Sequence, residues 1–328
     1  MTNLVKWALA ILGLCCLIPA SLLIGSVDIP LNSFFGNATD VERIIIVESR
    51  IPRTLAALFG GAGLSLGGLF MQTLFRNPLA GPSVLGLTSG SSLAVGFLML
   101  SGGVLAASQL AVISAAASGA LVVLLIILAV SRRFVNMASV LIVGLMLSFF
   151  SSSVLSVLQA YADETSLKVF VFWGFGSFSN LSFGQIPLFL IPVGLVIILS
   201  PLLIKPMNNL LPGELHAKSM GFDLRLIQTS LVVSTGVMVG VITAFCGPVA
   251  FIGLTAPHLA RILFSTANIR IVLPGSLLIG SLLALFCDIV ARWPFSEIAL
   301  PLNTVCAFMG APVIVYLILK GRKTKILS

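Results

Sequence analysis

The sequence predicts an all-α polytopic membrane protein with ten transmembrane helices, and three observations carry that prediction. Only 9% of the 328 residues are Asp, Glu, Lys or Arg, while 58% are hydrophobic; a soluble domain carries about 25% charged residues. Mean hydropathy is +1.17. The apolar residues run continuously, as from Leu121 to Val130, and do not form the roughly ten-residue stretches of alternating polarity of an outer-membrane barrel. In hydrocarbon only helices and closed barrels satisfy every backbone group, so such runs mean helices. The same composition excludes a cytosolic enzyme, a disordered chain and a secreted disulfide scaffold. Residues 1–328 read as a single transmembrane domain.

Each helix follows from a charge-free window. The windows are 7–27, 54–75, 77–131, 134–162, 169–204, 226–260, 271–287 and 298–319. A span takes about 20 apolar residues at about 1.5 Å each. The window 77–131 therefore holds two helices, divided at Ser101-Gly102-Gly103, and Cys246-Gly247-Pro248 breaks the window 226–260. The predicted spans are 6–26, 54–74, 83–101, 105–130, 138–160, 184–204, 226–246, 251–264, 271–291 and 300–319. In the first, Lys6 precedes an apolar run to Val27. That run exceeds the 7–15 residues of a signal-peptide core, so it reads as a membrane anchor. Leu14 before Cys15 is too large for a lipoprotein cleavage site.

Lys and Arg in short loops set the orientation. With the N-terminus in the cytoplasm, thirteen fall inside: Lys6, Arg76, Arg132, Arg133, Lys205, Lys218, Arg225, Arg261, Arg270, Lys320, Arg322, Lys323 and Lys325. Five fall outside: Arg43, Arg50, Arg53, Lys168 and Arg292. The net charge of +8 is thus a topology signal. The basic residues are scattered singly between spans, which argues against a nucleic-acid surface. Cys15, Cys16, Cys246, Cys287 and Cys306 lack metal-ligand spacing and read as small hydrophobes.

Few motifs suggest chemistry. Gly63-Leu64-Ser65-Leu66-Gly67 matches a nucleophile elbow, but that motif needs a strand-turn-helix setting and a His partner. Here it lies inside a membrane helix. No Lys follows a Gly, so there is no Walker A motif, and any ATP must be bound by another subunit. Ion-coupled transporters keep ionisable residues inside the bilayer. Only Asp288 approaches that position, and it reads as a helix-end pair with Arg292, four residues on. Outer arginines Arg50, Arg53 and Arg292 offer bidentate forks, either for an acidic partner or for lipid headgroups. Between Pro212 and Gly221 a short helix fits, suited to a cytoplasmic subunit, with an ordinary solvated loop as the alternative. Gly81-Pro82-Ser83-Val84-Leu85-Gly86-Leu87-Thr88 echoes Gly247-Pro248-Val249-Ala250-Phe251-Ile252-Gly253-Leu254-Thr255. The two copies start on opposite sides of the membrane, as an inverted repeat would place them.

The chain resembles the FecCD-type permeases, the membrane subunits of type II ABC importers for iron-siderophores, haem and cobalamin. Four groups of residues carry the resemblance nearly end to end. They are Arg50-Ile51-Pro52-Arg53, with Gly61-Ala62 and Gln72; Arg76-Asn77-Pro78-Leu79-Ala80-Gly81-Pro82; Pro257-His258-Leu259-Ala260-Arg261; and Asp288, Ala291-Arg292 and Gly310-Ala311-Pro312. Three places depart from the family's usual pattern: Gly174-Phe175 within Trp173–Ser177, Ala256 before Pro257, and Leu302-Asn303 after Pro301.

The resemblance implies both termini in the cytoplasm and an inverted repeat of helices 2–5 and 7–10. It implies a second permease subunit (a second copy or a related chain), two cytoplasmic ABC ATPases and a periplasmic binding protein, in a bacterial inner membrane. It implies no cofactor, no catalytic residue and no metal site. Arg50, Arg53 and Arg292 become docking sites for the binding protein's acidic residues. Glu214, Ala217, Met220 and Gly221 become the ATPase coupling loop, and Asn136, Met137 and Ser139 the cytoplasmic gate region. The expected activity is ATP-driven import of a ferric siderophore by alternating access, with haem or cobalamin as alternatives and an ion-coupled secondary transporter as the rival. Helices 54–74 and 138–160 are expected to line the pathway with Gln72, Ser148 and Ser152; for the serines, including Ser151 and Ser153, helix packing is the competing reading.

Overall fold

The structure is a computed structural model, and it describes residues 3–25, 27, 29–30, 32–33, 38–101, 108–133, 137–292 and 300–321. The architecture is all-helical. The chain opens with α1 (Asn3–Leu23), then α2 (Asp40–Ile45), which runs through a π-helical turn (Ile46–Arg50) into α3 (Ile51–Leu74). There follow α4 (Leu87–Leu100), α5 (Gln109–Arg133), α6 (Met137–Tyr161), α7 (Glu164–Gly174) and α8 (Ile186–Leu199). A 3-10 turn at Pro201 leads into α9 (Ile204–Leu210), and then come α10 (Glu214–Ser219), α11 (Leu224–Cys246), α12 (Ile252–Phe264), α13 (Ile269–Ala291) and α14 (Leu302–Gly321).

Seven helices among the described residues are long and apolar enough to cross a membrane, and α4 and α12 are shorter apolar helices. Every predicted span falls on a helix. The eighth helix differs: it stops at Leu199 and continues to Leu210 only through the 3-10 turn. Two short helices, α2 and α7, fall between the predicted spans. A capping box builds the start of α2, since the Thr39 N–H donates to Glu42 Oε2 at 2.8 Å and the Glu42 N–H to Thr39 Oγ1 at 3.4 Å. That Thr39 N–H holds the Glu42 carboxyl below its usual range, helped by the Ser33 hydroxyl. Asp163 caps α7 by accepting the Ser166 N–H at 2.9 Å, which lowers its pKa in the same way.

Helix α3 is the hub, enclosed by α8, α11, α12 and α13. Its partner α13 runs antiparallel to it, because Ser281 Oγ donates to Leu58 O at 2.8 Å and Ser65 Oγ to Ser276 O at 2.7 Å. Gly61 and Gly280 face each other so closely that a Cβ on either would strike the other's carbonyl. Without water to drive helices together, such small-residue seams let backbones approach and gain dispersion contact. The second half repeats the scheme: α11 packs on α5, with Gly236 against Leu124 and Gly240 against Ala120. Likewise α4 packs on α5 and α12 on α13, while α6 closes on α4 and α14 on α12.

Helix α4 follows a 3-10 turn (Pro82–Leu85) and α12 a non-helical lead-in, and each lead-in ends in a left-handed residue, Gly86 (φ 76°) and Phe251 (φ 65°). Gly86 sits under Gly144 of α6, and Phe251 under Gly310 of α14. The Gly-Pro echo thus marks the two lead-ins, although the left-handed residue before α12 is Phe251 and not Gly253. The two turns also meet beside α3, where Pro82 packs on Gly253 and Gly253 abuts Gly68.

Candidate functional site

One end of the α3–α13 pair carries a charged cluster. The turn before α3 supplies Arg50 and its first turn Arg53; the last turn of α13 supplies Asp288, and Arg292 follows at its C-cap. Antiparallel packing brings these ends together. Arg53 forks onto Asp288, with Nε at 3.0 and 3.2 Å from the two oxygens and Nη2 at 2.9 Å. Arg292 Nη2 takes the other oxygen at 2.8 Å, so the helix-end pair expected from the i, i+4 spacing is present. Arg292 also donates to Ser21 O at 3.1 Å, Ile24 O at 2.9 Å and Ser21 Oγ at 2.9 Å. Arg50 donates to Ile24 O, and to Val27 O at 2.7 Å. The sequence placed these arginines on an outer surface. The structure instead buries Arg50 (4% exposed) against the end of α1, with Asp288 at 1%, and leaves the Arg292 and Arg53 side chains 6% and 17% exposed. The guanidiniums of Arg53 and Arg292 share one buried carboxylate, and the carbonyls of Ser21, Ile24 and Val27, in and just after the last turn of α1, supply acceptors to Arg292 and Arg50.

A second feature lies in the α9–α10 segment. Gly213 (φ 137°) opens α10 and Gly221 (φ 82°) closes it. The Phe222 N–H returns to Ala217 O at 3.1 Å and the Gly221 N–H to Lys218 O at 3.0 Å, a glycine-terminated helix end. Leu215 is 86% exposed and Met220 is exposed beside it. Glu214 is half-buried. Ala217 is fully buried and anchors α10 to the chain's own core.

The residues expected along the pathway fall in different settings. Gln72 is buried, donates to Leu254 O at 3.1 Å and accepts from Arg261 Nη1 at 2.5 Å, so it ties α3 to α12. With α3 enclosed by its neighbours, residues 54–74 do not line an open face of this chain. Helix α6 does present such a face, through Ile142, Met146, Phe149 and Phe150. On it, Ser148 bonds its own helix at Gly144 O (3.0 Å), where α4 packs; Ser152 is exposed. In the gate region Ser139 is half-buried and Met137 starts α6. Asn136 lies outside the described residues.

A scan of sequence families matches residues 11–320 to the FecCD transport family. The chain belongs to the FecCD transport family. It is 36% identical over 326 residues to the vitamin B12 import system permease protein BtuC of Shigella boydii, covering 97% of this chain and 96% of that one. The BtuC protein of Escherichia coli O9:H4 is 35% identical over 285 residues, 85% of each chain. A solved structure described as an inward-facing, metal-chelate type ABC transporter superposes with a TM-score of 0.86 at 29% identity, covering 97% of this chain and 100% of that one. The FecCD permease is accordingly a membrane subunit of an ABC importer and not itself an enzyme.

Two side chains of the FecCD permease that the sequence reading did not assign to a site support the lead-ins. In the membrane, non-helical backbone needs polar partners from the protein itself. His258 Nε2 lies 2.7 Å from Pro78 O. Asn303 accepts the Ala250 N–H at 2.9 Å and donates to Pro248 O at 2.6 Å and Gly174 O at 3.3 Å. Its own N–H donates to Phe175 O at 3.1 Å. Two departures from the family pattern, Gly174-Phe175 and Asn303, are therefore in contact with each other. Replacing Asn303 with alanine strips partners from Pro248 O and Gly174 O in part-buried bonds, at about 1–3 kcal/mol for each group left unpaired. The purified Asn303→Ala permease should melt several degrees below wild type; unchanged melting would show that other groups satisfy the turn.

Proposed function

We propose that this permease moves vitamin B12, as one of two membrane subunits of a bacterial inner-membrane importer. The observation that carries the reading is similarity to B12 import permeases along almost the whole chain, 36% identity over 97% of it. The ferric siderophore expected from the sequence becomes the second reading, kept because the solved relative is described as metal-chelate type.

The rest of the assembly follows from the same reading. Ten helices span the bilayer with both termini cytoplasmic, a placement supported by the distribution of Lys and Arg. Helices α3–α6 and α11–α14 form an inverted repeat, supported by their matching contacts and paired left-handed turns. The outer arginine cluster meets acidic residues of a binding protein. Helix α10, with Leu215 and Met220 exposed, meets a cytoplasmic ATPase that supplies the energy. The exposed apolar faces of α5, α6 and α8 meet lipid and a second permease, and cargo crosses between the two permeases as they alternate access.

The test is uptake in cells lacking this chain. Labelled cobalamin, haem and a panel of ferric siderophores are supplied, with and without the wild-type chain restored. Loss and recovery of cobalamin uptake alone supports the first reading. Loss of a ferric chelate alone transfers the assignment to the second.

A further inference from the structure

Three residues other than glycine hold a left-handed backbone among the described residues: Arg76 (φ 47°), Phe251 (φ 65°) and Ser265 (φ 51°). A Cβ makes that conformation unfavourable, so each needs a reason. Phe251 packs under Gly310. Ser265 closes α12, and its hydroxyl donates to Ile262 O at 3.3 Å and accepts from Lys6 Nζ at 3.5 Å. Arg76 closes α3. Its N–H donates to Thr73 O at 3.3 Å, and the Asn77 N–H donates to Gln72 O at 3.2 Å. These two bonds make a Schellman turn with Arg76 at its left-handed position, the place glycine usually fills. No bond of the side chain offsets the strain: among the described residues the exposed Arg76 guanidinium has neither hydrogen bond nor ion pair.

What the guanidinium has is a position. Its Nη1 rests against Gly213, where a Cβ would lie 3.2 Å away. Gly213 (φ 137°) is the N-cap of α10, and its carbonyl accepts the Ala217 N–H at 3.1 Å. That φ suits glycine and strains any other residue. On its inner side α10 is held by the buried Ala217. The end of the hub helix α3 therefore meets the opening of the exposed helix α10 with no other side chain in between. Backbone strain that local contacts do not explain points to a functional demand.

We propose that Arg76 is a positioning residue, a strut that carries movement of α10 to α3, and that its strained backbone is kept because it sets the guanidinium against Gly213. The proposal rests on the reading of α10 as the ATPase contact, and it adds the path by which that contact reaches the hub. Helix α9 also touches α3 and α13, so loss of Arg76 weakens the link without severing it.

The experiment uses the assembled importer, with its ATPase and binding protein, in proteoliposomes. Arg76→Gly removes the side chain and relieves the strain in one change, so it should melt no lower than wild type. Labelled cobalamin imported per ATP hydrolysed should nevertheless fall roughly threefold or more. Arg76→Asn, also at ease in left-handed backbone and too short to reach Gly213, should behave as the glycine variant does. Arg76→Lys keeps reach and charge and should recover most of the loss. The amount of ATPase that co-purifies should be unchanged in all three. Hydrogen exchange needs no cargo. In wild type, ATP in place of ADP should change exchange at residues 214–220 and at residues 70–76; in Arg76→Gly the first change persists and most of the second is lost.

Wild-type import per ATP in Arg76→Gly and Arg76→Asn, or a full response at residues 70–76 without the arginine, would overturn the strut. Loss of ATPase from the purified variants would overturn it in favour of a direct contact between Arg76 and the ATPase. If wild type shows no response at residues 214–220, the reading of α10 fails and the strut falls with it. If wild type imports no cobalamin, the cargo reading fails by itself, and the exchange responses still decide the role of Arg76.

Discussion

Gly68→Ala should destabilise the permease more than its single added methyl group suggests. At this point α3 touches the first turn of α12 backbone to backbone, and a Cβ on Gly68 would coincide with the carbonyl of Gly253. No rotamer change relieves such a clash, so the two segments must separate. Gly253 is itself wedged between Pro82 and Leu64 O, which blocks its retreat. Overpacking in a core typically costs about 1–3 kcal/mol, and a backbone obstacle places this substitution at or above the top of that range. Gly194→Ala in α8 is the control, because a Cβ there meets nothing within 4 Å. Alanine at such a helix position should be neutral or stabilising by up to about 1 kcal/mol. Thermal melting of the two variants in the same detergent decides the matter, and equal melting temperatures would refute the close approach of α3 and α12.

The second large effect is on transport. Gly221→Arg should lower uptake roughly tenfold or more, equivalent to about 1.4 kcal/mol of lost coupling at the least, while the protein remains in the membrane at near-normal level. The structure separates the two consequences. Nothing lies within 4 Å of a Cβ at Gly221, so the side chain fits. The φ of 82° adds strain of about 1–2 kcal/mol for an L-residue, which a folded chain can absorb. What changes is the outward face of α10, beside the exposed Met220 and Leu215. Gly221→Asn isolates the strain, since asparagine tolerates left-handed backbone better than other residues and adds no charge. If Asn transports and Arg does not, the face matters. If both fail equally, the turn geometry is the cause and the coupling role of α10 is lost.

The helices were legible because the bilayer imposes length and apolarity. Each predicted span found its helix, and even the short α10 was bracketed correctly by Pro212 and Gly221. The capping box at Thr39 and Glu42 and the cap at Asp163 were also written in the sequence. They were passed over because the reading was built on apolar windows alone. Site residues were legible by type and less so by environment. Asp288 was correctly paired with Arg292 from spacing alone, yet spacing cannot say that Arg53 completes the pair from a helix 235 residues away. Gln72 looked like a pathway residue because a polar group in a membrane helix suggests water. The partners that bury it, Arg261 and Leu254 O, come from α12. Ala217 was carried over as part of a loop, and only packing shows which side of that loop faces inward. Asn303 went unassigned because its partners lie on two distant segments, the end of α7 and the lead-in to α12.

The antiparallel α3–α13 pair also sets a timetable for synthesis. Its two halves are 235 residues apart in Arg53 and Asp288, and ribosomes add about 5–20 residues per second. For about 10–50 s, α3 is therefore in the membrane with a cationic end lacking its counter-ion and a glycine groove lacking its lid. A nascent chain stalled before α13 is marked by both features at once. Completion of the last third of the polypeptide is thus the event that conceals them, and the permease cannot mature helix by helix from its N-terminus.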